Sequence, residues 1–223
     1  MRRPPRFFVT ATDTGVGKTQ VACALLSLMA DAGLKPAPFK PYESGCTDLA
    51  APEDALALRR AARSEDALET ICIHRFREPV APGVAAARQG LRSSFQKSLK
   101  AFGRFDGRAL VVEGAGGLLV PLDKKHDMLD LIERLGLPVL LVARAGLGTL
   151  NHTGLSLLAL ERRKIPIRAV VLTQTTAAAD ASLVDNAAWI RRRFQVEVLG
   201  PVPFLREPRA RAVFFRKTLS SLF

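Results

Sequence analysis

The apolar positions of the chain fall into short runs of two kinds. Arg6-Phe7-Phe8-Val9-Thr10, Leu110-Val111-Val112, Val139-Leu140-Leu141-Val142 and Ala169-Val170-Val171-Leu172 are compact segments of strand length, and unbroken apolar runs of this kind belong to strands buried on both faces. Pro36 to Phe39 predicts a further early strand, and Val196-Glu197-Val198-Leu199, ahead of Gly200, a last one. Between these runs the apolar spacing becomes helical. Gln20 to Ala32 carries Val21, Ala24, Leu25, Leu28 and Met29 on one stripe, and Gly33 sits where a helix stop belongs. Further helices are predicted near Asp127 to Leu135, Leu150 to Arg163 and Ala181 to Phe194. Ala51-Pro52-Glu53-Asp54 reads as a helix start, with proline and acids in the first turn.

Continuously apolar strands alternating with helices predict an α/β fold: a doubly wound, mostly parallel sheet with helices on both faces. No repeat, low-complexity tract or long linker divides the 223 residues, which predicts a single domain over 1–223. In such sheets the ligand lies beyond the carboxyl ends of the strands. The loops that follow the strands are therefore where chemistry is expected.

Composition narrows the function classes. Hydrophobic residues make up 48% and charged residues 24%, a globular balance that excludes wholesale disorder. No apolar run approaches the ~18 residues of a membrane span, and Met1 to Pro5 leads straight into the first strand without a signal-peptide core. The three cysteines, Cys23, Cys46 and Cys72, have no metal-pair or redox-pair spacing. A cytoplasmic protein in a reducing compartment is the expectation. Net charge is +12, from 33 Lys+Arg against 21 Asp+Glu, which suits an anionic partner such as a nucleotide. The arginines are scattered, and one Trp and one Tyr provide no aromatic–basic interleaving, so no nucleic-acid partner is expected. At the C-terminus Ala212, Phe215, Leu219, Leu222 and Phe223 share a helical stripe flanked by Arg209, Arg211, Arg216 and Lys217. Such a stripe suits either a membrane surface or a helix packed on the sheet or on a dimer mate. The packed helix is favoured, and no membrane partner is expected.

The loop after the first strand reads Ala11-Thr12-Asp13-Thr14-Gly15-Val16-Gly17-Lys18-Thr19. A Gly-Lys-Thr ending between a strand and a helix is a phosphate-binding pattern. Backbone N–H groups must converge on phosphate oxygens, which asks for a residue without Cβ at Gly17, and the helix N-terminus adds positive potential. Lys18 can reach the terminal phosphates, and the Thr19 hydroxyl can bind Mg²⁺. The common pattern has glycine five residues before Gly17, where this chain has Thr12; the loop is one residue longer and includes Asp13-Thr14. Lys40, ending the second strand, directs positive charge toward the same cleft, and Ser44 supplies a short hydroxyl. Taken alone, Lys40 reads as a solvated surface lysine; together with the phosphate loop, the functional reading is favoured. Glu113 ends the strand at Val112 and opens the run Gly114-Ala115-Gly116-Gly117, where backbone can approach a ligand closely.

These motifs, in this order, resemble dethiobiotin synthetase, a phosphate-loop enzyme family. The first loop is similar to the family's Gly-Thr-Asp-Thr-x-Val-Gly-Lys-Thr, with Ala11 in place of the first glycine and Gly15 where some members carry an acid. Lys40-Pro41-Tyr42-Glu43-Ser44-Gly45 is similar to Lys-Pro-x-x-Ser-Gly, Asp54-Ala55-Leu56 to Asp-Ala-Leu, and Glu113 to Gly117 to Glu-Gly-Ala-Gly-Gly. Glu78 to Pro82 resembles a segment near the substrate, Asn151-His152 ends a Gly-x-x-Asn-His stretch, and Pro203-Phe204-Leu205 resembles a Pro-x-Leu segment beside the base. Thr173-Gln174 stands where the family has an adenine-reading Asn, and threonine has no carboxamide to pair with a base edge. The likeness spans roughly Phe7 to Pro208.

The resemblance implies ATP- and Mg²⁺-dependent carboxylation and ring closure of 7,8-diaminononanoate with CO₂. It implies Lys40, Lys18 and Thr14 as catalytic; Thr14, Lys40, Ser44 and Asn151 for substrate; and Thr19, Asp54 and Glu113 for metal. Nucleotide would be held by Gly15 to Gln20, Asp54, Glu113 to Gly116, Thr173, Gln174 and Pro203 to Leu205. His152 reads as a helix-start residue rather than a catalyst. A homodimer is implied as well. The rivals are a cobyrinate-type ligase, whose amidotransferase domain 223 residues cannot hold, and a nucleotide-switch ATPase using the basic tail.

Overall fold

The computed structural model describes residues 3–91, 93–178 and 180–222; Met1, Arg2 and Phe223 of the terminal readings lie outside them. The elements run β1 (Arg6–Ala11), α1 (Lys18–Asp31), β2 (Ala37–Phe39), β3 (Tyr42–Ser44), α2 (Glu53–Ala62), α3 (Leu68–Ile71), β4 (His74–Phe76), α4 (Pro82–Arg88), α5 (Phe95–Phe102) and β5 (Leu110–Glu113). They continue α6 (Met128–Leu135), β6 (Val139–Arg144), α7 (Thr149–Arg162), β7 (Ile167–Thr173), α8 (Leu183–Phe194), β8 (Val198–Val202) and α9 (Pro208–Leu219). A six-stranded parallel sheet has the order β2-β5-β1-β6-β7-β8. The α/β architecture predicted from the apolar runs is the one observed.

Alternation within β1 divides the core. Phe7, Val9 and Ala11 point to the face covered by α1, α2 and α9, where they meet Val21, Leu25, Leu58, Phe215 and Leu219. Phe8 points to the other face with Val112, Leu141 and Leu172, against Leu131 and Ile132 of α6, Leu157 of α7 and Ile190 of α8. Each fully buried Leu, Ile or Phe contributes about 1.5–3 kcal/mol, so the strand runs legible in the sequence also hold the layers together. β1 lies between β5 and β6, with chain crossing to either side of it. The phosphate loop therefore leaves the sheet at its centre, where the strand order reverses.

Three differences from the sequence reading have physical causes. β8 begins at Val198 and runs through Gly200-Pro201 to Val202, two residues later than predicted. β8 is an edge strand, where a proline need not donate to a ladder. β3 and β4 form a separate parallel pair of three residues each, too short to carry a period. Helices α3 to α5 lie in the stretch 68–102, where polar residues interrupt the stripe; Ser94 caps α5 by accepting from Lys97 N. α1 stops as expected: Gly33 takes φ +75°, and Leu34 N bonds back to Met29 O.

The basic tail is a packed helix. Phe215, Leu219 and Leu222 are buried against the α1 face while Ala212 is exposed. Arg216 bonds Ser27 Oγ at 2.6 Å and Asp31 at 2.5 Å, fixing α9 to α1. Among the described residues no helix is long and apolar enough to cross a membrane.

Candidate active site

Gly17 takes φ +101°, a conformation that a Cβ would strain. An added Cβ would also approach Gln20 Oε1 to 3.3 Å. This turn aims the N-terminus of α1 at the space above the sheet. Lys18 folds over the loop and donates from Nζ to Asp13 O at 3.0 Å. Asp13 in turn pairs with Arg144 at the end of β6, 3.2 Å away.

Residues from four separate segments meet at one point. Lys40 Nζ lies 2.6 Å from Glu113 Oε1, 3.0 Å from Asp54 Oδ2 and 3.1 Å from Gly114 O. Thr19 Oγ1 lies 2.9 Å from Glu113 Oε1 and 3.1 Å from Asp54 Oδ1; its one proton serves one of them at a time. Lys40 is no solvated surface lysine: the side chain is buried, and strand β2 delivers its charge between two carboxylates.

The electrostatics follow from this packing. Burial works against the Lys40 charge, but Glu113 and Asp54 outweigh it and hold the ammonium well above its usual range. Burial would raise Asp54, yet Lys40 and Thr19 keep it below the usual carboxylate range. Glu113, fully buried, is raised by desolvation against the pull of Lys40. Lys18 is lowered to about 8, first by burial and then by repulsion from Lys40. Glu113 Oε2 is buried without a hydrogen-bond partner. With Asp54 and Thr19 it forms a set of hard oxygen donors of the kind Mg²⁺ takes, so these residues fit such an ion.

The surrounding cleft has a volume of about 590 Å³. Thr14, Gly15, Gly17 to Gln20, Lys40, Ser44, Asp54, Glu113, Ala115 and Gly116 all line it. Ser44 Oγ is buried and unpartnered there, a hydroxyl available to a ligand. Pro79 to Pro82, Val120 and Tyr42 add apolar lining to the same cleft. A smaller pocket of about 100 Å³ shares the loop residues Gly15 and Gly17 with the cleft and is lined also by Val16, Thr173, Gln174 and Pro203 to Leu205. Thr173 donates its hydroxyl proton to Val16 O at 2.6 Å, so it braces the phosphate loop. Gln174 Oε1 accepts from Phe204 N at 3.2 Å.

One predicted residue stays apart. Asn151 is exposed in the first turn of α7 and lines neither pocket; Gly148, not Asn151, precedes that helix. His152 is exposed beside it. Conversely, Glu43 carries a role that no sequence motif marks: its carboxylate accepts from Asp54 N at 2.8 Å and Ala55 N at 2.9 Å, a cap for α2 supplied from β3. No local spacing signals a cap that comes from another element. Val120, Arg211 and Phe215, which help line the two pockets, carry no motif either.

A family model described as an AAA domain matches residues 5–210. The ATP-dependent dethiobiotin synthetase of Anaeromyxobacter dehalogenans (strain 2CP-C) is 48% identical over 212 residues, 92% of this chain and 94% of that one. The enzyme of the same name from Anaeromyxobacter sp. (strain Fw109-5) is 43% identical, with 96% of each chain covered. Among solved structures, the MinC:MinD cell division protein complex of Aquifex aeolicus aligns with a TM-score of 0.53 at 15% identity, over 96% of this chain and 86% of that one. That last likeness is one of fold.

Proposed function

The chain belongs to the ATP-dependent dethiobiotin synthetases, ATP-using cyclo-ligases of biotin biosynthesis, and on that premise we propose that its cleft carboxylates and closes 7,8-diaminononanoate with CO₂. The observation that carries the reading is the meeting of Lys18, Lys40, Thr19, Asp54 and Glu113 in one cleft that also has apolar lining. One amine of the substrate attacks CO₂ and loses a proton, giving a carbamate. A carbamate oxygen then takes the γ-phosphoryl group of ATP, and ADP leaves. The second amine attacks the carbamoyl carbon, and phosphate departs as the ring closes.

The protein's part is positioning and charge stabilisation. Lys18 and the N–H groups at the start of α1 hold the terminal phosphates. Lys40 balances charge on the carbamate and on the group in transfer. Thr14 and Ser44 orient the substrate, and Tyr42 and Pro79 to Pro82 give its alkyl chain an apolar surface. Thr19, Asp54 and Glu113 would hold Mg²⁺, which when bound neutralises phosphate charge. The base lies toward Gln174 and Pro203 to Leu205. A homodimer in the cytoplasm completes the reading: Asn151 would meet substrate from a second copy, and the exposed Leu147, Leu150, Leu155 and Leu158 beside it suit contact with that copy.

Incubation with Mg-ATP, the diamine and ¹³C-bicarbonate tests this reading. Labelled dethiobiotin with matching ADP is the expected result. Nucleotide binding without product would transfer the motifs to another substrate.

A further inference from the structure

Asp54 is gripped from two sides. Its side chain meets Lys40 and Thr19, and its backbone N–H is held by Glu43. Helix α2 has no capping side chain of its own, because Pro52 precedes it. Without another acceptor the N–H groups of its first turn would lack partners. Glu43, buried in β3, supplies both carboxylate oxygens to consecutive N–H groups of that turn, where the helix dipole also favours an anion. Glu43 lies three residues beyond Lys40, so one short segment delivers the cation and anchors the carboxylate that meets it.

Glu43, Cys46 and Glu53 have ligand atoms within 4.8 Å of one another. They do not make an ion site, because both Glu43 oxygens are taken by backbone and Glu53 accepts from Thr47 N. Glu43 also lines the cleft, but with both oxygens held by the backbone of α2 it acts on the cleft by orienting Asp54.

We propose that Glu43 is a positioning residue: by fixing the first turn of α2 it sets where Asp54 stands, and thereby the affinity of the cleft for a divalent cation with nucleotide. This rests on the assignment of Thr19, Asp54 and Glu113 to the cation. Partners that orient a metal ligand are commonly worth 10–100-fold in affinity.

The test measures Mn²⁺ binding by electron paramagnetic resonance, on the full chain with a non-hydrolysable ATP analogue. Glu43→Gln keeps the length but turns one acceptor into a donor facing an N–H; Glu43→Asp keeps the charge but shortens the reach. Both are expected to weaken Mn²⁺ about tenfold, with nucleotide binding in EDTA unchanged within about twofold. Glu53→Gln, which alters the neighbouring bond to Thr47 N but leaves the Glu43 bonds to Asp54 N and Ala55 N in place, is expected to leave Mn²⁺ affinity unchanged within about twofold. Unchanged Mn²⁺ affinity in whichever Glu43 variant folds overturns the proposal, as does an equal loss in Glu53→Gln. A parent protein that binds nucleotide but no Mn²⁺ overturns the cation assignment together with it.

Discussion

Lys40 Nζ and Glu113 Oε1 stand 2.6 Å apart, both side chains buried, one directly after β2 and the other ending β5. The two strands are neighbours, with Phe39 in register with Val112, so the residues that follow that pair face each other by strand geometry. This pair forms the floor of the cleft.

Lys40→Ala is expected to abolish turnover and to lower stability. Removing the cation leaves a buried Glu113 beside Asp54 without its counter-charge, which costs on the order of 3–5 kcal/mol in dry sites; Asp54, with 40% of its side chain exposed, keeps the loss at the lower end. Mg²⁺ should raise the melting temperature of the variant more than that of the parent, because a cation restores the balance. Equal shifts in a thermal melt would remove Lys40 from this role.

Thr173→Val is expected to weaken nucleotide binding by about 1 kcal/mol, roughly fivefold, through loss of the bond to Val16 O. Thr173→Ser keeps the hydroxyl and should bind like the parent. Calorimetric titration of both variants checks it. Weakening in the serine variant alone would point to the methyl group instead.

Lys18 has its pKa lowered to about 8 in the ligand-free cleft, and a bound triphosphate favours the charged form. The ammonium is present below about 8 and lost above it. Nucleotide affinity measured in EDTA should therefore be flat from pH 6 to about 7.5 and fall as pH rises through 8, approaching tenfold per unit. A flat profile to pH 9 would contradict this.

Leu219→Ala is expected to destabilise the fold by about 2–5 kcal/mol, because Leu219 is fully buried against the α1 face. Exposed Lys217→Ala should change it by under about 0.5 kcal/mol. Denaturant titration separates the two. A tail that serves as a free membrane helix would give small losses for both.

The layers and the phosphate loop were legible in the residues alone. Both are local: unbroken apolar runs of only about four residues, rich in β-branched side chains and bounded by polar residues and Gly, suit strands covered on two faces, and Gly17-Lys18-Thr19 needs only its own turn between β1 and α1. The ordered motifs also carried the family. Tertiary structure alone decided how the charges are used. Lys40 read in isolation as a surface lysine because burial of a cation depends on Glu113, 73 residues away. Thr173 has its hydroxyl turned to Val16, 157 residues away, and Glu43 caps a helix to which it does not belong. Asn151, part of a motif, stands outside both pockets of its own chain. Propensity and spacing act over a few residues, whereas the pairing of buried polar groups is settled by whichever elements the sheet order brings together.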